Sequence, residues 1–186
     1  QVISDYIVIG FEHILPKGLD HILFILGLFF FSAAFKPLFW QITMFTLAHS
    51  ITLGLSINGI ISLPANIVEP LIALSIMFIG IENVFSKNLK NSRLFIVFVF
   101  GLLHGLGFAS VLTDFGMPDN DFITALIGFN IGVEIAQLTI ILLAFFFIGF
   151  WFKNKPWYRA SITVPASLLI STIGFYWFLQ RLDLNF

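Results

Sequence analysis

Residues 122–151 read FITALIGFNIGVEIAQLTIILLAFFFIGFW, thirty positions in which Glu134 is the single charged side chain. A helix of about 20 apolar residues crosses a bilayer core. A stretch of thirty is expected to tilt or to extend beyond the membrane. Five further stretches of the same kind lie around it, at residues 19–35, 38–58, 66–86, 94–113 and 160–180. The breaks between them carry turn and charge signals: Lys36-Pro37, Asn58-Gly59 to Pro64, Ser86 to Arg93, Asp114 to Asp121, and Lys153 to Pro156. Residues 2–15 are apolar but too short to cross, and read as an interfacial or re-entrant helix closed by Pro16 and Gly18. The fold expected is therefore all-α. It is a polytopic transmembrane helix bundle of six spans plus a short N-terminal helix, forming one transmembrane domain over residues 1–186.

Composition agrees. Hydrophobic residues make up 59% of the chain and charged residues 10%, against about 45–50% and about 25% in soluble domains. The lipid bilayer is thus the first expected partner. Nine basic residues in 186 leave no surface to neutralise a phosphate backbone, so no nucleic-acid partner is expected. With no cysteine, disulfides, thiolate metal sites and thiol nucleophiles are all excluded. The opening QVISDYIVIG has no basic region and no small-residue cleavage site, and is not read as a signal peptide.

Alternate loops differ in charge. Lys36, Lys87, Lys90, Arg93, Lys153, Lys155 and Arg159 fall on one side, and Lys17 and Arg181 on the other. Loops rich in Lys and Arg stay cytoplasmic, which places both termini outside, together with the loop carrying Asp114, Asp119 and Asp121. A multi-pass membrane protein is expected.

Within or beside the spans lie Glu12, His13, Asp20, His21, His49, Glu69, Glu82, His104 and Glu134. A charge at mid-bilayer costs roughly 2.5–3.5 kcal/mol on insertion scales, so these groups must pair, protonate, or face water or a metal ion. With the N-terminus outside, every His falls in the outer half or near the middle, and Glu82 alone lies near the inner end. Asn130, Glu134 and Gln137 share one helical face, as do His49, Thr52 and Ser56. Gly101 and Gly105 have the spacing that lets helices approach closely, which would press His104 against a neighbour. The plainer readings are an interhelical hydrogen bond for His49, a bond from Glu134 to Asn130 or a carbonyl, headgroup positions for Glu12 and His13, and an ion pair of Glu82 with Lys87 or Arg93.

Four His and several carboxylates without Cys suit a borderline divalent ion, since imidazole binds zinc, copper, iron and nickel. The candidate ligands are His13, Asp20, His21, His49, Glu69, His104 and Glu134, with Glu12, Glu82, Asn130 and Gln137 as further buried polar groups. The ion expected is a divalent transition metal, and ligand type alone does not select among such metals.

Five motifs in order carry a resemblance. They are Gly10-Phe11-Glu12-His13 through Leu19-Asp20-His21-Ile22-Leu23-Phe24, then Phe45-Thr46-Leu47-Ala48-His49-Ser50-Ile51-Thr52-Leu53. Val68-Glu69-Pro70-Leu71 with Ile81-Glu82-Asn83, Phe100-Gly101-Leu102-Leu103-His104-Gly105-Leu106-Gly107, and Asn130-Ile131-Gly132-Val133-Glu134 through Gln137 complete the set. Over about residues 9–140 the chain resembles the HupE/UreJ family of bacterial membrane proteins. The resemblance implies a nickel or cobalt permease of the inner membrane. The family's first His motif matches His13, Asp20 and His21, and its second matches His104. Six residues, Ile14 to Leu19, separate His13 from Asp20, one more than the family pattern. The second motif lacks the additional His and Glu of the better-studied permeases. The resemblance is therefore to the broader branch of the family.

Three functions remain in view. In a permease, His13, Asp20 and His21 capture the ion, His49, His104, Glu69 and Glu134 hold it, and Glu82 is an inner step. In an intramembrane metal-dependent hydrolase, three His hold zinc, with Glu69, Glu134 or Asp20 as base toward a lipid or peptide from the outer leaflet. In the third, the chain is an accessory subunit beside a membrane or extracytoplasmic protein partner.

Overall fold

A computed structural model of the chain describes residues 1–90, 92–115 and 121–182, with residues 108–115 described by their helical backbone alone. Among the described residues there are seven helices and no strand. They are α1 (Val2–Ile14), α2 (Leu19–Phe31), α3 (Phe35–Ile57), α4 (Ala65–Phe85), α5 (Ser92–Phe115), α6 (Phe122–Phe152) and α7 (Arg159–Arg181). A π-helical turn at Phe145–Gly149 interrupts α6, and another at Arg159–Thr163 opens α7. Asp119 lies outside the described residues.

Four helices, α3, α4, α6 and α7, are long and apolar enough to cross a membrane. The first expected span needs correction. The stretch 19–35 is not one straight helix, because α2 ends at Phe31 and is only 13 residues long. At 1.5 Å per residue that is about 20 Å, short of a core about 30 Å thick. α2 instead forms a bent pair with α1, the two meeting at 73°, and only together do they qualify as a fifth, broken span. The break expected at Lys36-Pro37 also shifts, to Ser32–Ala34. Pro37 sits in the first turn of α3, where its missing N–H has no helical acceptor to serve, so the helix starts ahead of it. α5 has its described apolar part over Ser92–Gly107.

Three helix pairs build the bundle, each closed by glycine. A Cβ on Gly101 would lie 2.6 Å from the Phe45 carbonyl oxygen, and one on Gly105 would strike Thr52 Oγ1 and the His49 carbonyl, so α5 lies backbone to backbone on α3. Gly128 and Gly132 of α6 meet the carbonyls of Ile3 and Ile7 in α1 in the same way. Gly80 of α4 and Gly174 of α7 close the third pair, against Ser167 and Met77. Side-chain volume there would cost van der Waals contact along the whole seam, the main attraction between helices in lipid. α2 is wrapped by these pairs and buries His21, Phe24, Ile25, Gly27, Leu28 and Phe29.

Matched contacts fix the helix directions. Gln41 meets Arg93 and His49 meets Gly105, so α3 and α5 run parallel. Thr43 meets Glu134 while Gly54 meets Leu126, so α6 runs against α3. Gly80 meets Ser171 while Glu69 meets Arg181, so α7 runs against α4. Hence the end of α4 and the starts of α5 and α7 share one end of the bundle, where Arg159 donates to the Val84 carbonyl at 2.9 Å and Thr163 to that of Phe30 at 2.8 Å. The start of α4 and the end of α7 share the other.

Candidate metal centre

All four histidines of the chain meet inside the bundle, in the half toward that other end. His13 comes from the close of α1, His21 from the start of α2, His49 from the middle of α3 and His104 from α5. Ring centroids lie 4.8 Å apart for His13–His21, 4.9 Å for His21–His104, 5.6 Å for His21–His49 and 5.9 Å for His13–His49. His49 is 0% and His104 1% exposed, so neither turns to lipid or solvent. The seam between α3 and α5 sets this geometry. With Gly105 against the His49 carbonyl, the neighbouring His104 is held beside His49.

The ring nitrogens are poorly satisfied. His104 Nδ1 lies 2.8 Å from the Phe100 carbonyl oxygen, an acceptor only, so Nδ1 carries the proton and Nε2 is left with a lone pair when the ring is neutral. His104 Nε2, His21 Nε2 and both nitrogens of His49 are buried without a hydrogen-bond partner among the described residues. Buried polar atoms of this kind are uncommon and ask for a reason, an ion among them. Aromatic rings frame the cluster: Phe45 lies 5.0 Å from His104, and Phe129 lies 5.6 Å from His13. Among the described residues no group of three or more His, Asp or Glu side chains is arranged so that it could hold a metal ion.

A cavity of about 750 Å³ opens onto the cluster, with His13, His21 and His104 on its wall beside Asp20, Glu69 and Arg181. Asp20 is engaged through both oxygens by Arg181 Nη2, at 3.0 and 3.1 Å, and Arg181 Nη1 donates to the Glu69 carbonyl at 3.2 Å. Trp177 faces the same guanidinium at 5.3 Å.

The other candidate residues lie elsewhere. Glu134 accepts a hydrogen bond from Thr43 at 3.0 Å, and Gln137 accepts one from Thr46 at 3.1 Å. Thr43 is six residues before His49, about 9 Å along the helix, so Glu134 sits below the histidines. Asn130 donates to the Leu126 carbonyl within its own helix. Glu12 is exposed and pairs with Lys17 at 2.7 Å. Glu82 pairs with Arg93 at 2.8 Å, one of the two partners expected for it. Arg93 itself departs from expectation. It counts as a loop cation by sequence, yet it is 1% exposed inside the bundle. Arg181 and Trp177 were not singled out by sequence. The signal that could have found them is a cation and an indole four residues apart at the sparsely charged end of the last helix.

The family profile described as HupE / UreJ protein matches residues 1–181. The chain belongs to the HupE/UreJ family. That family is associated with nickel and cobalt transport. No curated protein and no solved structure matches the chain. In this HupE/UreJ protein the apolar, outward-facing helix surfaces, with Phe146, Phe147, Phe150 and Trp151 of α6 all exposed, fit a multi-pass membrane protein in contact with lipid.

Proposed function

We propose that the protein is an inner-membrane permease for a divalent transition-metal ion, nickel or cobalt by family, and that the ion binds among His13, His21, His49 and His104. The observation that carries this reading is the convergence of all four histidines from four helices. An ion bound by imidazoles at about 2.0–2.1 Å in a tetrahedral shell holds neighbouring ring centroids about 5 Å apart. Four of the six ring pairs here lie 4.8 to 5.9 Å apart, and His21, His49 and His104 present buried nitrogens with no hydrogen-bond partner among the described residues. The charge asymmetry of the loops directs the cluster end outward. Asp20 and Glu69 on the cavity wall are the carboxylates an arriving cation meets, and Arg181 must release Asp20 before that side chain can take part. Glu134 supports the seam between α3 and α6. Metal uptake by proteoliposomes should vanish in His49→Ala and His104→Ala; unchanged uptake would overturn the proposal.

A second reading is favoured by one feature, the size of the cavity. Six waters around an ion fill roughly 180 Å³ at about 30 Å³ each, far less than 750 Å³. A metal-dependent hydrolase would use that space for a lipid or peptide, with the ion activating water and Glu69 as base. A catalytic ion keeps its protein ligands through dialysis against a chelator, whereas cargo must exchange, because conduction requires release.

A further inference from the structure

Below the histidines the bundle is sealed in two layers. The first is aromatic: Phe24 and Phe45 are 0% and 1% exposed, with centroids 5.0 Å apart, and Phe100 lies against Phe24 at 6.0 Å. The second is the Arg93 guanidinium. Its Nε donates to Gln41 Oε1 at 3.1 Å, Nη1 to Glu82 Oε2 at 2.8 Å and Nη2 to Asn83 Oδ1 at 2.9 Å, and it lies 4.4 Å from the centre of the Phe31 ring. Asn83 in turn donates to the Gly27 carbonyl at 2.7 Å and to Ser167 Oγ at 3.1 Å. One cation therefore joins α2, α3, α4, α5 and, through Asn83, α7.

The two layers lie in line with the cluster. His49, Phe45 and Gln41 follow one another at four-residue steps on α3, and His104, Phe100, Val97 and Arg93 at steps of four, three and four on α5. Beyond Arg93, at the opposite end from the histidines, a second cavity of about 220 Å³ is lined by Pro37, Trp40, Gln41, Lys90, Arg93 and Leu94. It shares no lining residue with the first.

Resting on the permease reading, we infer that Arg93 is the charge barrier of the conduction path and Glu82 the exit ligand behind it. While Arg93 holds Glu82, a dication leaving the histidines meets a fixed positive charge. Passage requires Glu82 to exchange Arg93 for the ion. Arg93 keeps Gln41 and Asn83 as acceptors during that exchange, so its charge is not stranded. The second cavity is the inner vestibule.

The test uses the full chain in proteoliposomes with nickel as the probe, and reads both bound nickel and uptake. In Glu82→Gln the amide oxygen still accepts from Arg93 but the neutralising charge is gone. Bound nickel should match the unmodified chain, while uptake falls about tenfold or more because an uncompensated cation now blocks the path. Removing the cation alone, in Arg93→Gln, should leave uptake at or above that of the unmodified chain, because Glu82 remains to take the ion. A merely structural pair would lose bound nickel and uptake together in both variants. Uptake unchanged in Glu82→Gln, nickel binding lost with uptake, or uptake lost in Arg93→Gln with nickel still bound would overturn the inference alone. No uptake by the unmodified chain would overturn the permease reading and this inference with it.

Discussion

His49 shows what the site requires of a single residue. It sits at 0% exposure with neither ring nitrogen hydrogen-bonded. Loss of one partner behind a metal ligand already weakens binding 10–100-fold, so loss of a ligand should weaken it on the order of 100-fold or more. His49→Ala and His104→Ala should show this in a competition titration of the purified protein with nickel. Glu134→Gln should change affinity less than about threefold, since Glu134 is bonded to Thr43 and lies one level below the rings. Equal losses in all three would mean that the site reaches down to Glu134. The histidines were legible in the sequence because a polar side chain in an apolar span is conspicuous by its cost. Their cationic neighbours were not. Arg93 and Arg181 stand near helix ends, where a positive charge reads as a loop residue. That Arg93 turns inward depends on Glu82, Asn83 and Gln41 from two other helices.

At the scale of the elements, glycine decides the packing. Gly105→Ala forces a methyl onto the His49 carbonyl and Thr52 Oγ1. Overpacking of this kind typically costs about 1–3 kcal/mol, so the melting temperature in detergent should fall and metal affinity should fall with it. Gly59→Ala is the control. The position has open space but φ of +69°, so the cost should be about 1–2 kcal/mol of backbone strain with metal binding intact. The Gly101–Gly105 seam was readable from its spacing. The closer approach of α1 to α6 through Gly128 and Gly132 was not, because small residues four apart do not say which helix they face. The division of the first span was also hidden. Apolar composition runs on through Phe31, Ala33, Ala34 and Phe35, and only the extended backbone at Ser32 and Ala34 separates α2 from α3.

For the whole molecule, the charge asymmetry has a structural counterpart. The starts of α3, α5 and α7 and the ends of α4 and α6 carry Lys36, Lys87, Lys90, Lys153, Lys155 and Arg159, beside Trp40, Trp151 and Trp157. On the proposed orientation this end faces the cytoplasm, where Lys- and Arg-rich loops stay, while Trp marks either interface. The chain has no cysteine, so single introduced thiols can be labelled without background. A cysteine at Ile60 should react with an impermeant reagent added outside intact cells, and one at Lys155 only after the membrane is opened. The reverse pattern would invert the bundle and turn the histidines inward. A permease of this kind needs those histidines to act together, and the most direct measurement is the X-ray absorption spectrum of the purified protein loaded with one equivalent of zinc. Three or four imidazole nitrogens at about 2.0–2.1 Å are expected. A shell with fewer than three imidazoles would contradict that reading.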